Sequence, residues 1–326
     1  MSDRALAGRP DALAADWAAW LEDALDDRIL EAEDVSSPWG STRTWRVRLL
    51  GHRVVAVQLA ADGAAMDRRR RVASRLVTAA PSLGVARPLA WRQDGDRHLL
   101  ASEWIPGARA ATRLGSSADA TWLAVAMGRA AKTIRSVPVD GLRLATTWSD
   151  PAMLEARLVG WLATVRDGMP SGDWHEAHAS LPALAAAATS GPALLAHGDL
   201  VPVNLLVDGP RVAILDLEAA RTASPVFDLA RAGAVIGRYH PAAWRTMEGP
   251  LLEAADIPRD RETAERLAAI VAALELESAA EAVRAGKDAR RAVETIDGGP
   301  FRDRIRARLA PGFSAPALSA APRGPR

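Results

Sequence analysis

The chain has 326 residues, with 41 basic side chains against 40 acidic ones and no cysteine. A balance this even offers no basic field for nucleic acid, and the missing cysteines exclude disulfides, thiolate metal sites and a cysteine nucleophile. The length predicts two domains or lobes, and an apolar fraction of 49% supplies enough material for their cores.

The opening residues, MSDRALAGRPDALAADW, lack the basic-then-apolar layout of a signal peptide. The longest uncharged run, residues 181–196, is broken by Pro182, Gly191 and Pro192, so no membrane partner is expected. A cytoplasmic protein fits both features and the absence of cysteine. The basic residues are almost all arginine; Lys132 and Lys287 are the only lysines.

In chain order, residues 10–27 read as a helix with Trp17, Trp20, Leu21 and Leu25 on one face. Residues 44–49 and 54–59 are apolar-rich runs around Gly51-His52, which is a hairpin signal. Residues 64–80 form a helix candidate carrying Asp67 and then four arginines, Arg68 to Arg71, with a solvated charged face as its default reading. Two further strands, 89–91 and 98–104, flank the turn at Asp94-Gly95-Asp96, and Ile105-Pro106-Gly107 stops them. Residues 1–107 are therefore expected to form a small strand-rich lobe. Residues 108–310 are expected to form a larger helical one, with helices at 118–135, 153–165, 177–188, 241–255, 261–285 and 301–309. Residues 311–326, rich in Pro, Ala and Gly, read as a disordered tail. His175-Glu176-Ala177-His178 is one residue short of a zinc-binding H-E-x-x-H, which argues against a metal there.

The richest stretch is residues 195–230, LAHGDLVPVNLLVDGPRVAILDLEAARTASPVFDLA. Two apolar runs around Asp208-Gly209-Pro210 predict a β-hairpin. Asn204 precedes the hairpin, Asp216 follows it, and Asp199 lies in the loop that enters it. Two carboxylates and a carboxamide are hard oxygen donors of the kind that suit Mg²⁺, which takes few protein ligands and leaves the rest to phosphates and water.

His197-x-Asp199, Asn204, Asp216 and Asp228-Leu229-Ala230, in this order and spacing, resemble the aminoglycoside phosphotransferase and choline kinase group of protein-kinase-like enzymes. The resemblance implies an α+β, two-lobed kinase-like fold that uses Mg²⁺ and ATP or GTP. The reaction it implies is phosphoryl transfer to a hydroxyl of a small molecule, an antibiotic foremost. It makes Asp199 the catalytic base, Asn204 and Asp216 the metal ligands, His197 a brace for the loop and Asp228 its tie from below. It also places Gly40, Ser41 and Thr42 over the nucleotide phosphates and the backbone of Glu103 and Ile105 against the base. The 12 residues from Asp216 to Asp228 leave no room for an activation segment, which favours a small-molecule kinase over a protein kinase.

One departure stands out. Val55-Ala56-Val57-Gln58 matches the strand that ends in a nucleotide-binding Lys in the family, but the residue here is Gln58. No Glu occurs between Gln58 and Glu103 to serve as that lysine's partner. A neutral carboxamide still points into the cleft by strand alternation but does not balance phosphate charge. Three readings are open. Another cation takes over, Arg46 or one of Arg68 to Arg71; or Mg²⁺ carries the load alone; or the protein is a pseudokinase that binds nucleotide without turnover. A kinase for a metabolite alcohol is the further alternative to an antibiotic enzyme.

Overall fold

The computed structural model describes residues 13–36 and 42–294. The chain runs through α1 (Ala15–Leu25), β1 (Ile29–Asp34), β2 (Arg43–Leu49), β3 (Val54–Ala60), α2 (Gly63–Ala79), β4 (Gly84–Val85), β5 (Pro88–Asp94), β6 (Arg97–Glu103) and β7 (Ala108–Arg109). There follow α3 (Ser117–Arg135), β8 (Ala145–Trp148), α4 (Pro151–Val165), α5 (Ser171–Ala188), β9 (Leu194–Ala196), β10 (Leu205–Asp208), β11 (Arg211–Ile214) and β12 (Arg221–Ala223). Helices α6 (Phe227–Tyr239), α7 (Pro241–Ala254), α8 (Arg261–Arg284) and α9 (Ala289–Glu294) complete the described chain. The framework divides into two compact units. The first takes the described residues up to Ala108 together with Leu206–Glu218; the second takes Arg109–Leu205 and the described residues from Ala219 onward.

The first unit is built on an antiparallel five-stranded sheet in the order β1-β2-β3-β6-β5. Alternation along β2 and β3 sends Trp45, Val47, Leu49, Val55, Val57 and Leu59 to one face, where α1 covers them with Trp17 and Leu21. Trp17 meets Trp45 edge to face at 6.1 Å, an arrangement that the ring quadrupoles favour. The opposite face carries Ala60 and Leu100 against Met66 of α2. Helix α2 starts where Asp62 accepts the Ala65 N–H at 2.9 Å, an N-cap worth about 1 kcal/mol. The hairpin β10–β11 joins this unit through β4, which pairs in parallel with β11 (Gly84 to Ala213, Val85 to Ile214).

The second unit is a helical assembly with a small sheet in the order β8-β12-β9. Its core gathers Leu154, Leu158 and Leu162 of α4, Leu181 and Leu184 of α5, Phe227 of α6 and Ile270 and Leu274 of α8. Trp148 at the end of β8 packs edge-on against Phe227 at 4.8 Å. Helices α3 and α7 approach so closely at Gly128 that a methyl group there would stand 2.5 Å from the Leu251 carbonyl oxygen.

Several boundaries differ from the sequence expectation for identifiable reasons. Helix α1 stops at Leu25 because Asp26 turns left-handed at φ 49°. Helix α4 begins at Pro151, earlier than expected, because Asp150 caps it by accepting the Ala152 and Met153 N–H groups. Helix α5 begins at Ser171 and takes in Trp174 and both histidines; His175 and His178 sit three residues apart on it, and no histidine-carboxylate metal cluster occurs among the described residues. Strand β1 was not expected. It pairs with β2 through Glu31–Arg48 at 2.8 Å and Asp34–Arg43 at 2.7 Å. The helix expected at 301–309, the break at 298–300 and the tail at 311–326 lie outside the described residues.

Candidate active site

In the second unit, the loop after β9 is organised by a buried carboxylate. Asp228, at the start of α6, accepts the backbone N–H of His197 at 2.8 Å and of Gly198 at 2.9 Å. Burial pushes the Asp228 carboxyl up, against the pull of His197, the two N–H groups and Arg221. His197 is wholly buried, and its Nδ1 accepts the Asp199 N–H at 3.2 Å. Gly198 has φ +87°, and a methyl group there would stand 2.0 Å from the Ala219 carbonyl oxygen. Gly198→Ala is therefore expected to destabilise the second unit by at least about 2 kcal/mol from left-handed strain and backbone collision. Thermal denaturation followed by circular dichroism checks this.

Both oxygens of Asp199 are held. Oδ2 accepts Asn204 Nδ2 at 2.8 Å, and Oδ1 accepts Arg231 Nε at 2.9 Å. Asn204 Nδ2 also donates to the Asp199 carbonyl at 3.0 Å. With its amide nitrogen spent on Asp199, Asn204 keeps Oδ1 as the atom able to face a cation. Arg231 had not been singled out in the sequence. Its signal is its place three residues after Asp228, on the same side of α6 one turn later. Burial, with nearby Glu281, raises the carboxyl of Glu277 on α8, while Arg221, Arg231 and Arg157 oppose the shift.

In the first unit, the segment after β11 holds Asp216 and Glu218. Asp216 adopts φ +61° and its side chain is half exposed. Glu218 is more enclosed; burial and the nearby Asp216 raise its carboxyl, while Arg69 and Thr42 oppose the shift. Thr42 Oγ1 donates to Glu218 Oε1 at 3.4 Å. Arg69 Nη1 lies 3.2 Å from Glu218 Oε1 and 4.0 Å from Asp216 Oδ1, and Arg68 Nε donates to the Glu218 carbonyl.

The other expected site residues fall as follows. Gln58 is buried on β3, and its Oε1 has no hydrogen-bond partner among the described residues. Arg46 is half exposed, 3.8 Å from Glu33 on β1, with its guanidinium over the Trp104 ring. The Glu103 N–H is already given to the Arg87 carbonyl at 2.9 Å, whereas the Ile105 backbone has no hydrogen bond among the described residues. Gly40 and Ser41 lie outside the described residues. No helix among the described residues is long and apolar enough to cross a membrane.

A strand-rich unit followed by a helical one, with a hydrogen-bonded Asp–Asn pair in a loop tied down by a buried Asp and a second carboxylate behind a hairpin, is the pattern of a kinase-like phosphotransferase. The chain belongs to the phosphotransferase enzyme family (APH), whose sequence profile matches residues 31–266. No curated protein sequence matches it. Among solved structures, it is similar to a thermostable mutant of aminoglycoside phosphotransferase APH(4)-Ia in ternary complex with AMP-PNP and hygromycin B. That match has 13% identity and a TM-score of 0.59, covering 90% of this chain and 97% of the other. It is also similar to an APH(2'')-type phosphotransferase in complex with GDP and kanamycin, with 14% identity, a TM-score of 0.64 and coverage of 87% and 97%. A third match is the macrolide 2'-phosphotransferase MphH from Brachybacterium faecium, with 19% identity, a TM-score of 0.58 and coverage of 87% and 99%. At these identities the likeness establishes the α+β, protein-kinase-like fold.

Proposed function

We propose that this protein transfers the γ-phosphoryl group of ATP or GTP to a hydroxyl of a small molecule, and that the acceptor is an antibiotic. The observation that carries the reading is Asp199, held at both oxygens by Asn204 and Arg231 in a loop pinned by Asp228. A carboxylate fixed in this way is prepared to orient an acceptor hydroxyl and take its proton. The hydroxyl oxygen then attacks the γ-phosphorus, the bond to the β–γ bridging oxygen breaks, and the nucleoside diphosphate departs.

Asn204 and Asp216 are the metal ligands of this reading. The fit to Mg²⁺ rests on donor chemistry: one free carboxamide oxygen and one half-exposed carboxylate are the few hard ligands that this ion takes from protein when phosphates supply the rest. When bound, Mg²⁺ neutralises charge on the phosphates. The backbone of Ile105, which has no hydrogen bond among the described residues, is the base-facing group. The antibiotic acceptor is supported by the compounds in the related structures, hygromycin B and kanamycin, and by the macrolide enzyme. A cytoplasmic location agrees with this chemistry.

The test is phosphorylation of a panel of aminoglycoside, macrolide, peptide and nucleoside antibiotics, with ATP and with GTP, read by mass spectrometry. One compound gaining a single phosphate supports the reading. Buried Gln58 in place of a cation favours a second reading, a nucleotide-binding regulator without turnover. That reading gains if Mg-nucleotide binds and no antibiotic or metabolite alcohol is modified.

A further inference from the structure

Resting on that reading, we infer that Arg69 of α2 is the cation that receives the nucleotide phosphates, so that the positive charge comes from the helix and not from the central strand. The first unit contains no lysine at all. Its β3 strand carries Gln58 on the same face as Ala60, which packs on Met66 of α2. Gln58 is 8% exposed, and its buried Oε1 meets no donor among the described residues. Among the described residues, this leaves a buried carboxamide oxygen able to accept from a further donor.

The arginines of α2 and β2 are not equivalent. Arg70 and Arg71 both turn back to Asp67 on their own helix, and Arg70 also lies over the Trp91 ring. Arg46 faces outward, beside Glu33 and Trp104. Arg68 is occupied with the Glu218 carbonyl. Arg69 alone among them is set beside the candidate metal ligand, with Nη1 4.0 Å from Asp216 Oδ1, and its side chain is only 14% exposed. Glu218 Oε1 holds the same Nη1 at 3.2 Å. An Arg–carboxylate pair is thus present with its sense reversed: the helix donates the cation, and the segment behind the hairpin supplies the anion. The guanidinium has five N–H donors, so holding Glu218 leaves others for phosphate oxygens. Gln58 then contributes hydrogen bonds without charge.

The experiment measures Kd for Mg-ATP, Mg-GTP, the matching diphosphates and the bare nucleosides by titration calorimetry on the full chain. Arg69→Gln is expected to weaken triphosphate binding by roughly ten- to a hundredfold, with the nucleoside unchanged. Arg69→Lys retains most of the affinity, Arg46→Gln changes little, and adding Gln58→Lys to Arg69→Gln restores binding. Equal losses for triphosphate and nucleoside, tighter binding in Arg69→Gln, or a loss carried by Arg46→Gln would overturn the inference. Protection mapping with phenylglyoxal on the unmodified chain needs no variant to fold: Mg-nucleotide should shield Arg69, and an unchanged modification rate there rejects the assignment. If the wild type binds neither Mg-nucleotide, the phosphotransferase reading itself fails, and the inference fails with it. That outcome is distinct from a wild type that binds and an Arg69 variant that binds equally well.

Discussion

Asp199→Asn is expected to lower phosphoryl transfer by roughly 10²–10⁴-fold, the usual contribution of a positioned general base. The substitution keeps the side-chain shape, and an Asn oxygen still accepts the Asn204 Nδ2 donor that now sits 2.8 Å away. The loop frame is set by Asp228 through the N–H groups of His197 and Gly198, upstream of the changed side chain, so it should persist. The largest local loss is the charge opposite Arg231. Both partners of that pair keep contact with solvent, so its contribution to stability is modest. Nucleotide affinity and melting temperature are therefore expected to change little while turnover collapses. Basal nucleotide hydrolysis, with water as acceptor, provides an assay that does not depend on knowing the natural alcohol. Turnover within tenfold of wild type would remove Asp199 from the role of base.

Asp216→Asn should affect a different quantity. Loss of hydrogen-bond partners behind a metal ligand commonly costs 10–100-fold in metal affinity or activity, and loss of the ligand's own charge should cost roughly 10²-fold or more. Asn is the informative replacement because Asp216 sits at φ +61°, a region that Asn tolerates and Ala does not. An Ala variant would mix backbone strain with lost coordination, whereas Asn isolates the charge. The expected result is a steep loss of Mg²⁺-dependent nucleotide affinity with metal-free nucleotide binding retained, measured by titration with and without EDTA. If affinity in Mg²⁺ is unchanged, Asp216 is not a ligand.

The parts of this molecule that the sequence made legible are those written in short-range chemistry. Asp208-Gly209-Pro210 between two apolar runs specified the hairpin β10–β11; in the structure Asp62, Ser116 and Asp260 cap the first turns of α2, α3 and α8, chemistry of the same short range. Strand β1 escaped because three of its last four residues are acids, Glu31, Glu33 and Asp34, spread over both of its faces, so no apolar alternation reveals it. Its counterparts Arg43, Arg46 and Arg48 lie on the next strand, so the signal is a charge correspondence and not a periodicity. Strands β8, β9 and β12 are three or four residues long and exist only through mutual pairing of segments far apart in the chain. The same limit applies to the site. Asp199, Asn204 and Asp216 announce themselves by local spacing. The role of Arg231 is fixed by a partner 32 residues away, and Arg69 is singled out from Arg68 to Arg71 only by a partner 149 residues away.

The acidic ladder of β1 also bears on how copies of this protein behave in a crowded solution. Strand β1 is one edge of the five-stranded sheet, and an edge strand offers open backbone groups to any other edge it meets. Here alternate side chains on that edge are acidic, with Glu31 and Glu33 largely solvated even while paired to arginines. A second β1 laid antiparallel against the first would bring like charges into register, which destabilises cross-strand neighbours. The residues that make this strand hard to find in the sequence therefore also guard it against edge-to-edge self-association. Neutralising Glu31 and Glu33 together should show this as faster aggregation on heating, with little change in the unfolding midpoint.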